Sequence, residues 1–155
     1  MNTKPFYSLL VIAVIIALFG AAIFTPQIAY AKDGTGGGTG TLTASGDGLA
    51  AVRGKGTMTV SVNCILWIRD HKGDAQIKVT GEGVRREMAN GWVRYIGFKG
   101  EATITGSKVT IALAGYDITL EAEGIGKFLL RGNGTYQTGD QQGVWSAEAR
   151  VITIQ

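Results

Sequence analysis

Asp70, His71 and Asp74 are the side chains best suited by type to acid–base or metal chemistry, because imidazole and carboxylate groups transfer protons and ligate divalent ions. They lie in Arg69-Asp70-His71-Lys72-Gly73-Asp74. His71 is the single histidine of the chain, and with no second His or nearby Cys the ligand set is poor. The segment reads more simply as a charged turn between strands over Cys64 to Ile68 and Ala75 to Thr80. Glu121 and Glu123 share one face of a strand, roughly 7 Å apart, a spacing that a glycosidase pair can have. That face lies opposite Ile118, Leu120 and Ala122, so it reads as a solvated surface rather than a cleft. G-x-S-x-G, H-E-x-x-H and P-loop motifs are absent from the sequence. The Gly-x-Gly pairs lack the third glycine and the following helix of a dinucleotide site. These residues point to a non-enzymatic protein with no cofactor and no metal.

The aromatic residues make a better case for binding. Trp67 and Trp145 fall on the outward parity of their strands, and Trp92 accompanies Arg94 and Lys99 beside a turn. Exposed aromatics next to cations suit contact with carbohydrate or protein. The competing expectation is that these indoles form a second apolar layer, since large aromatics are mostly buried.

The elements that must position these groups are strands. From Thr41 to Gln155 the chain has no proline, is rich in Thr, Val and Ile, and meets glycine every eight to ten residues over much of its length. Even positions from Ala50 through Val52, Met58, Val60, Val62, Cys64, Leu66 and Ile68 are apolar, and the odd positions between them mostly polar, as in strands with one wet face. Cys64 in this series reads as a small buried hydrophobe. Asn90-Gly91 is a strong hairpin signal between Val84–Met88 and Trp92–Ile96. Gly54-Lys55-Gly56 and Gly132-Asn133-Gly134 fit three-residue hairpin loops, which preserve side-chain parity. GDGLAAVRGKGT (Gly46 to Thr57) aligns with GIGKFLLRGNGT (Gly124 to Thr135), an internal repeat of one strand–turn unit. The expected fold is all-β: an antiparallel meander closing as a barrel or sandwich, or alternatively a β-helix of short coils, preceded by one N-terminal hydrophobic helix.

Residues 1–31 read as a signal peptide, with an apolar run from Phe6 to Phe24 and an A-x-A site that places cleavage between Ala31 and Lys32. The run is also long enough for an uncleaved membrane anchor. Residues 32–40, KDGTGGGTG, form a Gly-rich spacer, and residues 41–155 the β domain. Loss of Lys4 with the signal leaves a net charge of about +2, scattered along the chain, which does not suggest nucleic acid. One cysteine allows no internal disulfide.

Through Gly46-Asp47-Gly48, Gly54-Lys55-Gly56, Gly124-Ile125-Gly126 and Gly132-Asn133-Gly134 the chain resembles exported β proteins punctuated by Gly-x-Gly, the head-GIN domains of putative bacterial adhesins and, more distantly, bactofilins. The resemblance implies a non-catalytic repeat domain and brings no catalytic residues. Bactofilins are typically cytoplasmic, and the export segment departs from that pattern. The expected function is that of an extracytoplasmic binding or structural module of the cell envelope, found in the periplasm, on the surface or in the medium. Its partner would be envelope polysaccharide or protein, with the membrane involved only through an uncleaved N-terminal segment. A small barrel holding an apolar ligand is the alternative, and a hydrolase or metal site at Asp70, His71 and Asp74 the remotest reading.

Overall fold

The computed structural model describes residues 39–155. The expected signal peptide or anchor with its Ala31–Lys32 cleavage site, the expected hydrophobic helix and the expected spacer up to residue 38 lie outside the described residues. The β-branched, Gly-punctuated sequence forms β1 (Gly40–Asp70), β2 (Gln76–Glu87), β3 (Trp92–Thr138), β4 (Gln141–Val144) and β5 (Arg150–Ile154), all in one antiparallel sheet. At about 3.3 Å per residue, a straight β3 would run roughly 150 Å and have nothing to bury its apolar face against. Strands this long must therefore bend back over themselves.

The pairing register shows how they do so. β1 pairs with β3 along both of its edges: Ala44 faces Leu120 on one side and Tyr136 on the other, and Val60 faces Ala102 and Leu120. Leu120 is thus flanked by Ala44 and Val60, sixteen residues apart in β1, and the two strands wind together as a double-stranded coil. β2 pairs with β3 at one end of the coil, while β4 and β5 pair with β3 at the other. The sheet is not closed, so the expected barrel does not form. Every ladder is antiparallel, so the short period belongs to a wound antiparallel ribbon and not to a parallel β-helix.

The bends fall at the Gly-x-Gly units. Gly54 faces Gly126 and Gly56 faces Gly124, while Gly46 faces Gly134 and Gly48 faces Gly132. A Cβ placed on Gly54 would lie 2.4 Å from the Ile125 carbonyl oxygen, so the two backbones approach where only glycine fits. This corrects the hairpin reading of Gly54-Lys55-Gly56 and Gly132-Asn133-Gly134: the chain bends there without reversing, and a bend preserves parity just as a three-residue loop would. It also accounts for the repeat, whose two copies lie antiparallel to each other and place glycine on glycine. Asn90-Gly91 does reverse the chain, with the Met88 N–H donating to the Trp92 carbonyl at 2.8 Å and Glu87 facing Val93.

Bending folds the inner face of the sheet onto itself. Leu42, Val60, Ile104 and Leu120 on one side of the bends and Val52, Leu66, Ile111 and Phe128 on the other meet in one buried cluster. The even parity of β1 forms its share of this core, with Cys64 as the exception. Cys64 is exposed, with φ at 145°, at a bend where β1 passes from one side to the other. Truncating a core residue such as Leu120 to Ala would cost about 2–5 kcal/mol.

Candidate binding surface

The outer face of the sheet is divided by the bends into two sides of different chemistry. On the first side, alternation turns Thr41, Thr43, Thr57, Thr59, Thr103 and Thr105 outward, away from the core. Their hydroxyls meet across strands: Thr57 and Thr105 are 3.0 Å apart, and Ser61 and Thr119 2.7 Å. Glu121 and Glu123 stand exposed among them, facing Thr59 and Thr57; Glu121 lines an open hollow of about 620 Å³ with Thr43, Thr119, Tyr136 and Gln142, and Glu123 does not. The recurring Thr-x-Thr of residues 41–43, 57–59 and 103–105 was the sequence signal for this side.

The second side carries the tryptophans. Trp67 faces Ala112 on one neighbouring segment and Arg94 on the other, and Arg69 faces Trp92. Trp67 and Trp92 meet edge to face at 6.0 Å between ring centroids. The Arg94 guanidinium lies 5.0 Å from the Trp67 ring centre, and that of Arg69 lies 6.0 Å from the Trp92 ring centre. Partial burial holds Arg94 below the ordinary guanidinium value, and Arg86 opposite it acts the same way. Trp67 points away from the inner core yet is only 5% exposed, in a row with buried Ala51, Ala112 and Leu129. Its Nε1 is buried without a hydrogen-bond partner. Of the two tryptophans expected on outward parity, Trp67 and Trp145, neither is exposed, as the competing expectation of packed indoles has it. Trp92 is half-buried, Trp67 is covered, and Trp145 packs in the inner core with its Nε1 donating to the Thr135 carbonyl at 3.0 Å. Trp145 does not join the cluster because its segment is held beside the Gly132–Gly134 bend, with the Trp145 N–H donating to the Gly134 carbonyl at 2.8 Å and the Gly132 N–H to the Ser146 carbonyl at 3.0 Å.

Asp70, His71 and Asp74 do not converge. The Asp70 carboxylate accepts the backbone N–H groups of Lys72, Gly73 and Ala75 at 2.8–2.9 Å, which makes the turn from β1 to β2. The Ala75 bond foremost, with those of Lys72 and Gly73, holds its pKa below the usual carboxylate value against a smaller effect of burial. His71 Nε2 lies 2.9 Å from Thr110 Oγ1, which turns the ring toward the aromatic side. Burial, followed by the charges of Arg69, Arg53 and Lys108, pushes the imidazole below its usual pKa, with Asp70 opposing. Asp74 instead accepts the Ser107 N–H at 3.3 Å. Among the described residues, no three His, Cys, Asp or Glu side chains are placed to hold a metal ion.

Charge is also sorted between the two sides. Outward positions of the aromatic side carry Arg53, Arg69, Arg86, Arg94, Lys127 and Arg131 and, among the described residues, no carboxylate. The hydroxyl side carries Glu101, Glu121 and Glu123 against Lys78, with Glu82 facing Lys99 at its margin. Comparison with protein-family models, curated proteins and solved structures finds no match to this chain.

Proposed function

We propose that the protein is an exported, non-enzymatic binding or structural module of the cell envelope, acting in the periplasm, at the surface or in the medium through its aromatic side. The meeting of Trp67, Trp92, Arg69 and Arg94 on one side of the sheet carries this reading, because aromatic rings flanked by cations recur in binding interfaces. The Gly-x-Gly resemblance to adhesin-type repeat domains and the export segment support it. We read the folded-over sheet as a two-layered sandwich. An apolar-ligand barrel draws no support: the gap beside Val52, Met58 and Phe128 inside the coil is about 10 Å³, whereas small-molecule sites run to roughly 300 Å³ or more.

Co-sedimentation of the full-length protein with isolated envelope material tests the reading. The parent is expected to sediment, and Trp92→Ala combined with Arg69→Ala to stay in solution. Equal retention of both would refute the assigned surface. Intact mass from the expressing cell tests export, with a chain beginning at Lys32 expected for cleavage.

A further inference from the structure

Three cations of the aromatic side, Lys127, Arg53 and Arg69, are arranged in a line. Lys127 faces Arg53, Arg53 faces Thr110, Thr110 faces Arg69 and Arg69 faces Trp92, so one row crosses five neighbouring strand segments. With strands about 4.8 Å apart, the row spans roughly 19 Å. His71, on Thr110, sits in the middle of it, close enough to Arg53, Arg69 and Lys108 for all three charges to disfavour its protonation. Asp70, the acid nearest in sequence, is committed to three backbone N–H groups of its own turn. Arg53 and Lys127 are exposed and Arg69 half-exposed, so the charges face solvent. The adjoining row of Leu129, Ala51, Ala112 and Trp67 is buried, and exposed apolar side chains on this side are the separate Val151 and Val84 at its margins, not a continuous face that would insert into a bilayer.

We propose that this row binds a linear anionic polysaccharide lying across the strands, a reading that rests on the envelope-binding function and names its ligand class. A repeating polyanion matches a straight cationic row as a compact anion would not, and the half-buried Trp92 at its end offers a ring to stack on a sugar.

The test is binding of the full-length protein to polygalacturonate, with neutral dextran and phosphatidylglycerol-containing vesicles as the other arms. Polygalacturonate is expected to bind and dextran not, with affinity falling as salt rises from about 50 to about 200 mM. Arg53→Gln with Arg69→Gln should weaken binding by about tenfold or more, while Glu121→Gln with Glu123→Gln, on the opposite side, should not weaken it. Exposed Lys127→Gln, read beside its own melting curve, gives the same answer if the arginine pair disturbs folding. Failure to bind polygalacturonate while envelope material is still retained overturns this inference and leaves the envelope reading intact. Retention of neither overturns both. Unchanged binding by the arginine and lysine variants, or binding of vesicles in place of the polymer, also overturns the inference.

Discussion

Gly56 and Gly124 face each other across β1 and β3 so closely that a Cβ on either would lie 2.1 Å from a carbonyl oxygen of the opposite strand, that of Glu123 or of Lys55. Both also have φ in the region that suits glycine, +133° and +150°. Gly124→Ala is therefore expected to destabilise the fold by about 2–5 kcal/mol, through backbone displacement added to conformational strain. Gly91 has φ +80° but open space around it, so Gly91→Ala should cost only about 1–2 kcal/mol. Urea denaturation of the two variants decides the matter, and equal losses would mean that close approach does not shape the bend.

Trp67→Phe separates packing from polarity on the aromatic side. The smaller ring loses contact with Arg94 and Trp92, but it also removes the buried, unpartnered Nε1. Leaving such a donor unsatisfied costs about 1–3 kcal/mol, so the two effects should offset to within about 1 kcal/mol. Trp67→Ala, which keeps neither, is expected to cost about 3–5 kcal/mol. A large loss in Trp67→Phe by thermal melting would indicate that Nε1 contributes through a bond.

Stability should fall on acidification in two steps. His71 in the fold sits below its ordinary value of 6.5, so between the two values the unfolded chain binds more protons. The contribution is fully present above pH 6.5 and is lost as pH falls through the folded value. Asp70 behaves likewise lower down: its contribution is present above 3.8 and lost as pH falls through its depressed folded value. In a series of melting curves, His71→Gln should abolish the upper step and leave the lower one. Persistence of the upper step would assign it elsewhere.

Among the described residues one edge of β2 is unpaired, and it is expected to resist pairing with a second copy. Register that set Gly81-Glu82-Gly83 against its own copy, as the other bends are matched, would place Glu82 on Glu82 and Lys78 on Arg86. Replacing Lys78, Glu82 and Arg86 together by Thr should therefore raise the sedimentation coefficient of the protein with concentration. A variant that stays at the parent's value would show that charge does not guard this edge.

Much of the strand pattern could be read in the sequence, because side-chain parity is a local property. The Met58, Val60 and Val62 positions are core, the Asn90-Gly91 reversal is present, and Asp70 does make a turn. What the chain does at Gly54-Lys55-Gly56 was hidden, since a three-residue loop and a bend leave the parity of Arg53 and Thr57 the same. The deciding fact is long-range: this unit lies against Gly124-Ile125-Gly126. Outward parity is legible at Trp67, but the choice between an exposed ring and a second apolar layer is not, because burial on an outer face depends on neighbours such as Arg94 that only pairing supplies. Charge read along the chain looked scattered for the same reason. Arg53, Arg69 and Lys127 come from three distant segments, and the fold lines them up.

The double winding of β1 and β3 also sets the order of assembly. Gly40 finds its partner in Gly124 and Thr43 one of its two in Gln137, so the beginning of the first strand has nothing to pair with until most of the chain has been made. Such high contact order places folding toward the slow end, on the scale of milliseconds to seconds. The ribbon cannot close by halves, because removing either long strand takes away hydrogen-bond partners on both sides of the bends. A chain made this way should remain an unfolded polymer until its third strand arrives, and complete its core only when Trp145 and Ile154 follow.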